Sequence, residues 1–364
     1  MPFDVREFPA NGALRRAETT ASRRLVALWL FGLCAMIWVM VVLGGVTRLT
    51  GSGLSIMEWA PLSGTLPPLS ESAWQNLFAL YKSIPQYQIL HPGMGLAGFK
   101  GLFWLEWTHR LWGRLLGVAM LVPLIWFAAT HRIDRRLVPR LVFLFILGGL
   151  QGAVGWFMVA SGFDPDSTSV APARLVLHLV FALSLYVAIL WTGLSHLYPT
   201  AASAGPGERA LRPLAIIAAG TLALAIVAGG FVAGTHAGFE YNTFPLMEGR
   251  LVPADYDRLQ PFLANLVGNL AAVQFDHRVL ATLAALAGLG AAGVALIADV
   301  SRRVRAAALA LGFFLLVQYA LGVATLLLVV PIPLAAAHQA NAVLALTAAA
   351  VLLHRLRPVH RARA

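Results

Sequence analysis

The sequence predicts an all-α polytopic membrane protein: eight transmembrane helices in two pseudo-symmetric four-helix bundles, with both termini on the cytoplasmic side. Three observations predict it. The 364 residues are 59% hydrophobic and 12% charged, where a soluble chain carries about a quarter charged residues. Apolar runs too long for barrel strands stand between short basic clusters, and only helices or closed barrels cross a bilayer. Finally, segments of the first half recur in the second.

The spans are expected at 25–46, 105–128, 140–160, 174–194, 213–233, 270–297, 306–330 and 334–354. The first follows Arg23 and Arg24 and lacks a clear small-residue cleavage site, so it reads as a retained span rather than a signal peptide. Basic residues gather in the N-tail (Arg6, Arg15, Arg16, Arg23, Arg24), in the 132–140 loop, at Arg209 and Arg212, at Arg302–Arg305 and from Arg355 onward. They alternate with acidic or neutral loops. This positive-inside pattern assigns residues 1–24, a 197–212 linker and the basic tail 355–364 to the cytoplasm. It also accounts for the formal charge of +11 with membrane lipid rather than nucleic acid as the partner. Cys34 is the only cysteine and lies in the first span, so no intrachain disulfide can form.

Two long loops, 47–104 and 234–269, are then outer loops. Within the first, "SESAWQNLFALYKSI" (70–84) has a capping-type start and apolar residues at helical spacing, which predicts a helix lying flat over the outer face. "GGVTRLTGSG" (44–53) resembles "GGFVAGTHAG" (229–238), "EWTHR" (106–110) resembles "QFDHR" (274–278), and "LQGAVGW" (150–156) resembles "VQYALGV" (317–323). Offsets that shrink only in loops imply a duplicated four-helix unit. The expected halves are 25–196 and 213–354. An even number of spans in each gives both the same orientation, related by an axis along the membrane normal.

His109, His178, His277 and His338 each fall near the outer end of an even-numbered span, two per half. Ionisable groups inside a membrane are costly and usually mark function. Two imidazoles at one depth on two helices best match the two axial positions of a heme iron. Zinc or copper usually wants a third or fourth ligand, and no Cys or Asp recurs beside both pairs. Arg110 and Arg278 follow a histidine in each half, and Arg174 lies one turn before His178; all three are candidates for heme propionates, against the alternative of snorkelling to the interface. His131, His196, His354 and His360 fall at the opposite edge and read as solvated. Arg114, His91 and His236 receive no role.

The halves differ at one telling place. Glu106 stands three residues before His109, and its counterpart before His277 is Gln274. A half that only holds a redox cofactor needs no carboxylate there; a half that does proton-coupled chemistry does. Chemistry is therefore expected in the first half, with Glu106 as its catalytic group, and a resident cofactor in the second. The competing role for Glu106 is a salt bridge to Arg110, one turn away; the two are compatible.

The segments "GGVTRLTGSGLSIMEWAPLSGTLPP" (44–68), "EWTHRLWGR" (106–114), "AGTHAGFEYNTFPLM" (233–247), "FDHR" (275–278) and "HQANA" (338–342) together resemble the heme A synthase family of cytochrome oxidase assembly, in its mitochondrial and proteobacterial branch. Loop 47–104 lacks the cysteine pair of the other branch. The resemblance covers nearly the whole chain. It implies oxidation of a methyl group of heme O to a formyl group, giving heme A. It also implies a heme b cofactor held by His277 and His338, substrate heme held by His109 and His178, and Glu106 as the essential acid. A bacterial inner membrane, heme sites near the periplasmic face and a heme O synthase as donor follow from it. The electron-transfer partner is not specified, and a homo-oligomer is compatible. Two rivals make different predictions: a di-heme b-type electron carrier would stack hemes at two depths, and a transporter would carry broken helices with polar residues near mid-membrane.

Overall fold

The computed structural model describes the backbone of residues 9–61, 63–199 and 205–358, with side chains from residue 20 onward. Arg6, His360 and the end of the basic tail, and the side chains of Arg15 and Arg16, lie outside the described residues. Among the described residues, nine helices of more than ten residues follow one another: α1 (Pro9–Leu49), α2 (Glu71–Lys82), α3 (Leu96–Ala129), α4 (Val138–Ala160), α5 (Pro172–Leu197), α6 (Pro206–Gly234), α7 (Leu270–Ile297), α8 (Arg302–Leu327) and α9 (Ile332–Arg355). All but α2 are long and apolar enough to cross a membrane. The protein is an all-α, eight-span membrane protein.

Several helices outrun the expected spans, because a hydropathy run reports bilayer thickness and not helix length. The difference is largest at α1, which begins at Pro9 rather than 25; α3 begins at Leu96 rather than 105. The added turns of α3 are covered by protein. Ser70 caps α2 by accepting from Ala73 N–H at 3.2 Å, and the apolar face of α2 (Trp74, Phe78, Tyr81) packs on Phe99 and Phe103 of α3. Lys100, which breaks the apolar pattern of α3, pairs with Glu71 at 3.5 Å and lies over the Trp74 ring.

Buried apolar residues form two membrane cores. One is built from α1, α3, α4 and α5 with Val343 and Ala350 of α9, and is rich in Leu, Ile and Phe. The other is built from α6 to α9, with Ala215, Ala218, Ala291, Ala308, Ala345 and Ala349 among its buried members; small residues let helix backbones approach closely where no hydrophobic force drives association. The seam between the cores runs along α1 and α5 against α6 and α9. Trp38 Nε1 donates to Ala340 O at 2.9 Å, Gln339 Nε2 to Val41 O at 2.8 Å, and the Tyr186 and Thr347 hydroxyls meet at 2.6 Å. His354, expected to be solvated, is 0% exposed. It sits within this seam, 3.2 Å from Ser195 Oγ and edge-on to Trp191.

Candidate functional site

Each of the four histidines lies on a helix whose predecessor in the membrane offers a glycine opposite the imidazole. A Cβ on Gly44 of α1 would stand 3.0 Å from His109 Nε2 of α3. On Gly155 of α4 it would stand 2.9 Å from His178 Cε1 of α5, on Gly229 of α6 2.9 Å from His277 Cε1 of α7, and on Gly322 of α8 2.9 Å from His338 Cε1 of α9. Any larger side chain would push the ring away, so these glycines are notches that let imidazoles stand in the helix-packing plane. His277 and His338 face each other with ring centroids 6.4 Å apart and planes 85° apart. His109 and His178 lie within electrostatic reach of one another.

Three of the four rings have nitrogen partners on the same preceding helices. His277 Nδ1 is 2.9 Å from Ala225 O; a carbonyl only accepts, so Nδ1 carries the proton and the Nε2 lone pair is left for a metal. The side-chain amides of Gln151 and Gln318 reach Nδ1 of His178 and His338 at 3.1 and 3.2 Å. Gln318 is itself held by Asn341, whose Nδ2 donates to Gln318 Oε1 at 2.8 Å and to Phe314 O at 2.9 Å.

Beside the histidines, each half buckles its long loop to a helix. Glu106 is 2% exposed. Its Oε2 accepts from Ser55 Oγ at 2.8 Å and from Ile56 N–H at 2.9 Å. Its Oε1 accepts from Arg110 Nε at 3.0 Å and Nη2 at 2.6 Å. Arg110 goes on to donate to Glu58 O at 2.6 Å and Ile56 O at 2.7 Å. In the other half, Gln274 Oε1 accepts from Arg278 Nη2 at 2.6 Å, and Arg278 donates to Thr243 O at 2.9 Å and Tyr241 O at 2.7 Å. Glu58 and Thr243, and Ile56 and Tyr241, are both separated by 185 residues, the offset of the "GG" segments. The remaining bonds reverse direction: Gln274 Nε2 donates to Ala237 O and Glu240 O, both at 2.6 Å, where Glu106 Oε2 accepts. The charge differs as well. Glu106 neutralises Arg110, whereas Arg278 faces a neutral amide and keeps a buried Nε with no partner among the described residues.

The other singled-out residues divide. Arg174 donates to Phe157 O at 3.0 Å and stacks on the Phe157 ring. Arg114 anchors the loop through Pro61 O at 2.9 Å and Ala60 O at 3.0 Å. His91 bonds the Tyr81 hydroxyl at 2.7 Å within the α2–α3 cap; burial raises the Tyr81 pKa, and the charge of nearby Glu106 raises it further. His236 adopts a left-handed conformation with φ 59° at the place where the first half has Gly51, φ 68°.

Among the described residues no three His, Cys, Asp or Glu side chains converge as a metal cluster, so neither histidine pair gains a third such side chain. Two imidazoles bound end-on to one metal at ~2.0–2.1 Å per nitrogen place their centroids roughly 6.3–6.5 Å apart. The His277–His338 separation of 6.4 Å falls in that range. A cytochrome oxidase assembly protein family model matches residues 27–350. Heme A synthase of Granulibacter bethesdensis is 58% identical over 93% of this chain and 89% of its own length. Heme A synthase 2 of Acidiphilium cryptum is 51% identical over 92% of each chain. Heme A synthase of Rhodospirillum centenum is 47% identical over 96% of this chain and 92% of its own length. The chain belongs to the heme A synthase family.

For a member of the heme A synthase family, the four glycine notches and the two glutamines are positions beside the candidate histidines that reasoning from titratable residues passes over. The signal was present. Gln151 and Gly155 recur as Gln318 and Gly322, and Gly44 recurs as Gly229. Those repeats mark duplication, but a glycine in a membrane helix ordinarily marks close helix packing, and only the fold shows that the approaching group is an imidazole.

Proposed function

We propose that this protein is a heme A synthase, an enzyme of heme A biosynthesis that oxidises a methyl group of heme O to a formyl group. The observation that carries the reading is the pair of imidazoles spaced for one iron, repeated as a glycine-notched pair in the other half of a heme A synthase family fold. Residues 213–354 form the resident half, where His277 and His338 would hold the iron of heme b. Residues 25–196 form the substrate half, with His109 and His178 holding heme O. The long-loop end faces the periplasm of a bacterial inner membrane, and the arginine-rich end with both termini faces the cytoplasm.

Conversion of methyl to formyl (R–CH3 + H2O → R–CHO + 4 H+ + 4 e−) passes four electrons to an external acceptor, in two hydroxylations followed by loss of water from the gem-diol. When bound, heme b would supply one-electron redox chemistry. The chain's own contribution is positional and electrostatic. The Gly44 and Gly155 notches fix the two imidazoles. The Glu106–Arg110 buckle pins residues 55–58 beside the substrate imidazole and places one buried carboxylate in that half alone. Glu106 stabilises positive charge developing at the porphyrin edge, or takes a proton from it; the wholly neutral amide in the resident half suits storage rather than reaction. Arg278, with its uncompensated charge and free Nε, receives a propionate of heme b. A heme O synthase delivers the substrate.

Supplying heme O to the purified protein in lipid, with an electron acceptor, and extracting the hemes tests the reading. Heme A or its hydroxylated precursor is expected; a protein that binds heme but returns heme O unchanged would instead be the di-heme electron carrier.

A further inference from the structure

The two halves do not carry their positive charge in the same place. In the resident half the uncompensated guanidinium is Arg278, on α7 beside His277. In the substrate half the matching Arg110 is paired with Glu106 at 2.6 Å and gives its remaining contacts to loop carbonyls. A carboxylate approaching Arg110 would meet a neutralised pair. A different cation stands in that half. Arg48 lies in the last turn of α1, four residues after Gly44, the glycine that receives His109, and so on the same helix face. Its counterpart in the repeat is Ala233. The Arg48 side chain is partly buried, and among the described residues no hydrogen-bond or ion-pair partner meets its guanidinium.

Within electrostatic reach of Arg48 is His236, from the loop that follows α6. The imidazole pKa is lowered by burial and then by the charge of Arg48, so the ring is a neutral N–H donor beside a cation. His236 also keeps the left-handed backbone that Gly51 holds in the first half, a conformation that costs a residue with a side chain. Arg48 and His236 thus each depart from their counterparts in the other half, and they converge at the long-loop end of the seam. A cation with no carboxylate, next to a neutral donor and one turn from the notch that receives His109, is a site built for an anion.

We propose that Arg48 receives a propionate carboxylate of the substrate heme, with His236 as the neighbouring donor, replacing in the substrate half the role that Arg278 has in the resident half. The inference rests on the assignment of His109 and His178 to substrate. A lipid phosphate is the competing anion; the position of Arg48 one turn from the His109 notch favours the tetrapyrrole.

The test uses the full-length protein carrying its resident heme, in lipid nanodiscs, titrated with hemin and with hemin dimethyl ester while the absorbance of the added heme is followed. Wild type is expected to bind hemin about tenfold or more tightly than the ester, the size of one charge-assisted hydrogen bond. Arg48→Ala should bring the two affinities together by weakening hemin alone, and Arg48→Lys should restore part of the difference. An unchanged resident-heme spectrum shows that each variant is folded. If Arg48→Ala and Arg48→Gln keep the wild-type ratio, or weaken both probes equally as loss of a lipid contact would, the proposal is wrong. His109→Ala separates the two levels: it should abolish binding of both probes, and if it leaves both unchanged the substrate assignment itself fails.

Discussion

Arg110 and Glu106 are joined one helical turn apart by two hydrogen bonds, at 2.6 and 3.0 Å, and through them the first long loop is fastened to α3. The carboxylate has no spare oxygen, because Ser55 and Ile56 occupy the other one. This relationship makes Glu106 a buckle whatever else it does, and it separates the first half from the half where an amide fills the same place.

Glu106→Gln copies the resident half at that position. It leaves Arg110 without its counter-charge and turns one carboxylate oxygen into a donor facing donors. Breaking a buried pair costs on the order of 3–5 kcal/mol, here felt locally by residues 55–58. Heme O conversion should fall to background while the resident-heme spectrum persists, and amide hydrogen exchange over 55–58 should accelerate. A variant that converts heme O at the wild-type rate would remove the role given to Glu106.

The glycine notches predict a pattern rather than a single loss. Gly229→Ala and Gly322→Ala should empty the resident half of heme, and Gly155→Ala should spare resident heme but lose turnover. Gly152 lies one turn from Gly155, and a Cβ there meets nothing within 4 Å. Gly152→Ala should therefore be neutral or stabilising by about 0.5–1 kcal/mol, the usual helical preference for alanine. Equal effects at Gly152 and Gly155 would show that helix packing, not imidazole placement, is at stake. Heme stoichiometry of the purified variants reads this directly.

The near-perpendicular rings of His277 and His338 make a spectroscopic prediction. Crossed axial imidazoles leave the two iron d orbitals that they perturb close in energy. Electron paramagnetic resonance of the oxidised resident heme should then give a large-gmax low-spin signal. A rhombic signal of the parallel-ring type would contradict the ring geometry.

How far the fold was legible in the sequence depends on what each signal measures. The eight spans follow from apolar runs, and α7 ends where the pattern ends on both sides. The protruding turns of α3 were hidden because Lys100 and three glycines between 95 and 101 interrupt the apolar run; α2 supplies the burial that makes them helical. The four histidines were legible because imidazole is rare in a membrane and recurs at matched places. Their glycine and amide partners were not, since contacts between helices are invisible to periodicity along one helix. His354 was misread for the same reason: its position at a helix end suggests water, and only the α5–α9 seam shows otherwise. Arg110 and Arg278, which read as propionate candidates, also bind loop carbonyls, contacts that depend on how the loops fold back.

The central claim is that paired imidazoles clamp a macrocycle in each half. It is tested most directly by the heme content and identity of the purified protein, compared with His277→Ala, His338→Ala, His109→Ala and His178→Ala. The account predicts that the first two variants lose the resident low-spin heme b. The last two should keep it and accumulate no heme A when heme O is supplied. Retention of the low-spin spectrum in both His277→Ala and His338→Ala, or heme A formation in both His109→Ala and His178→Ala, would contradict it.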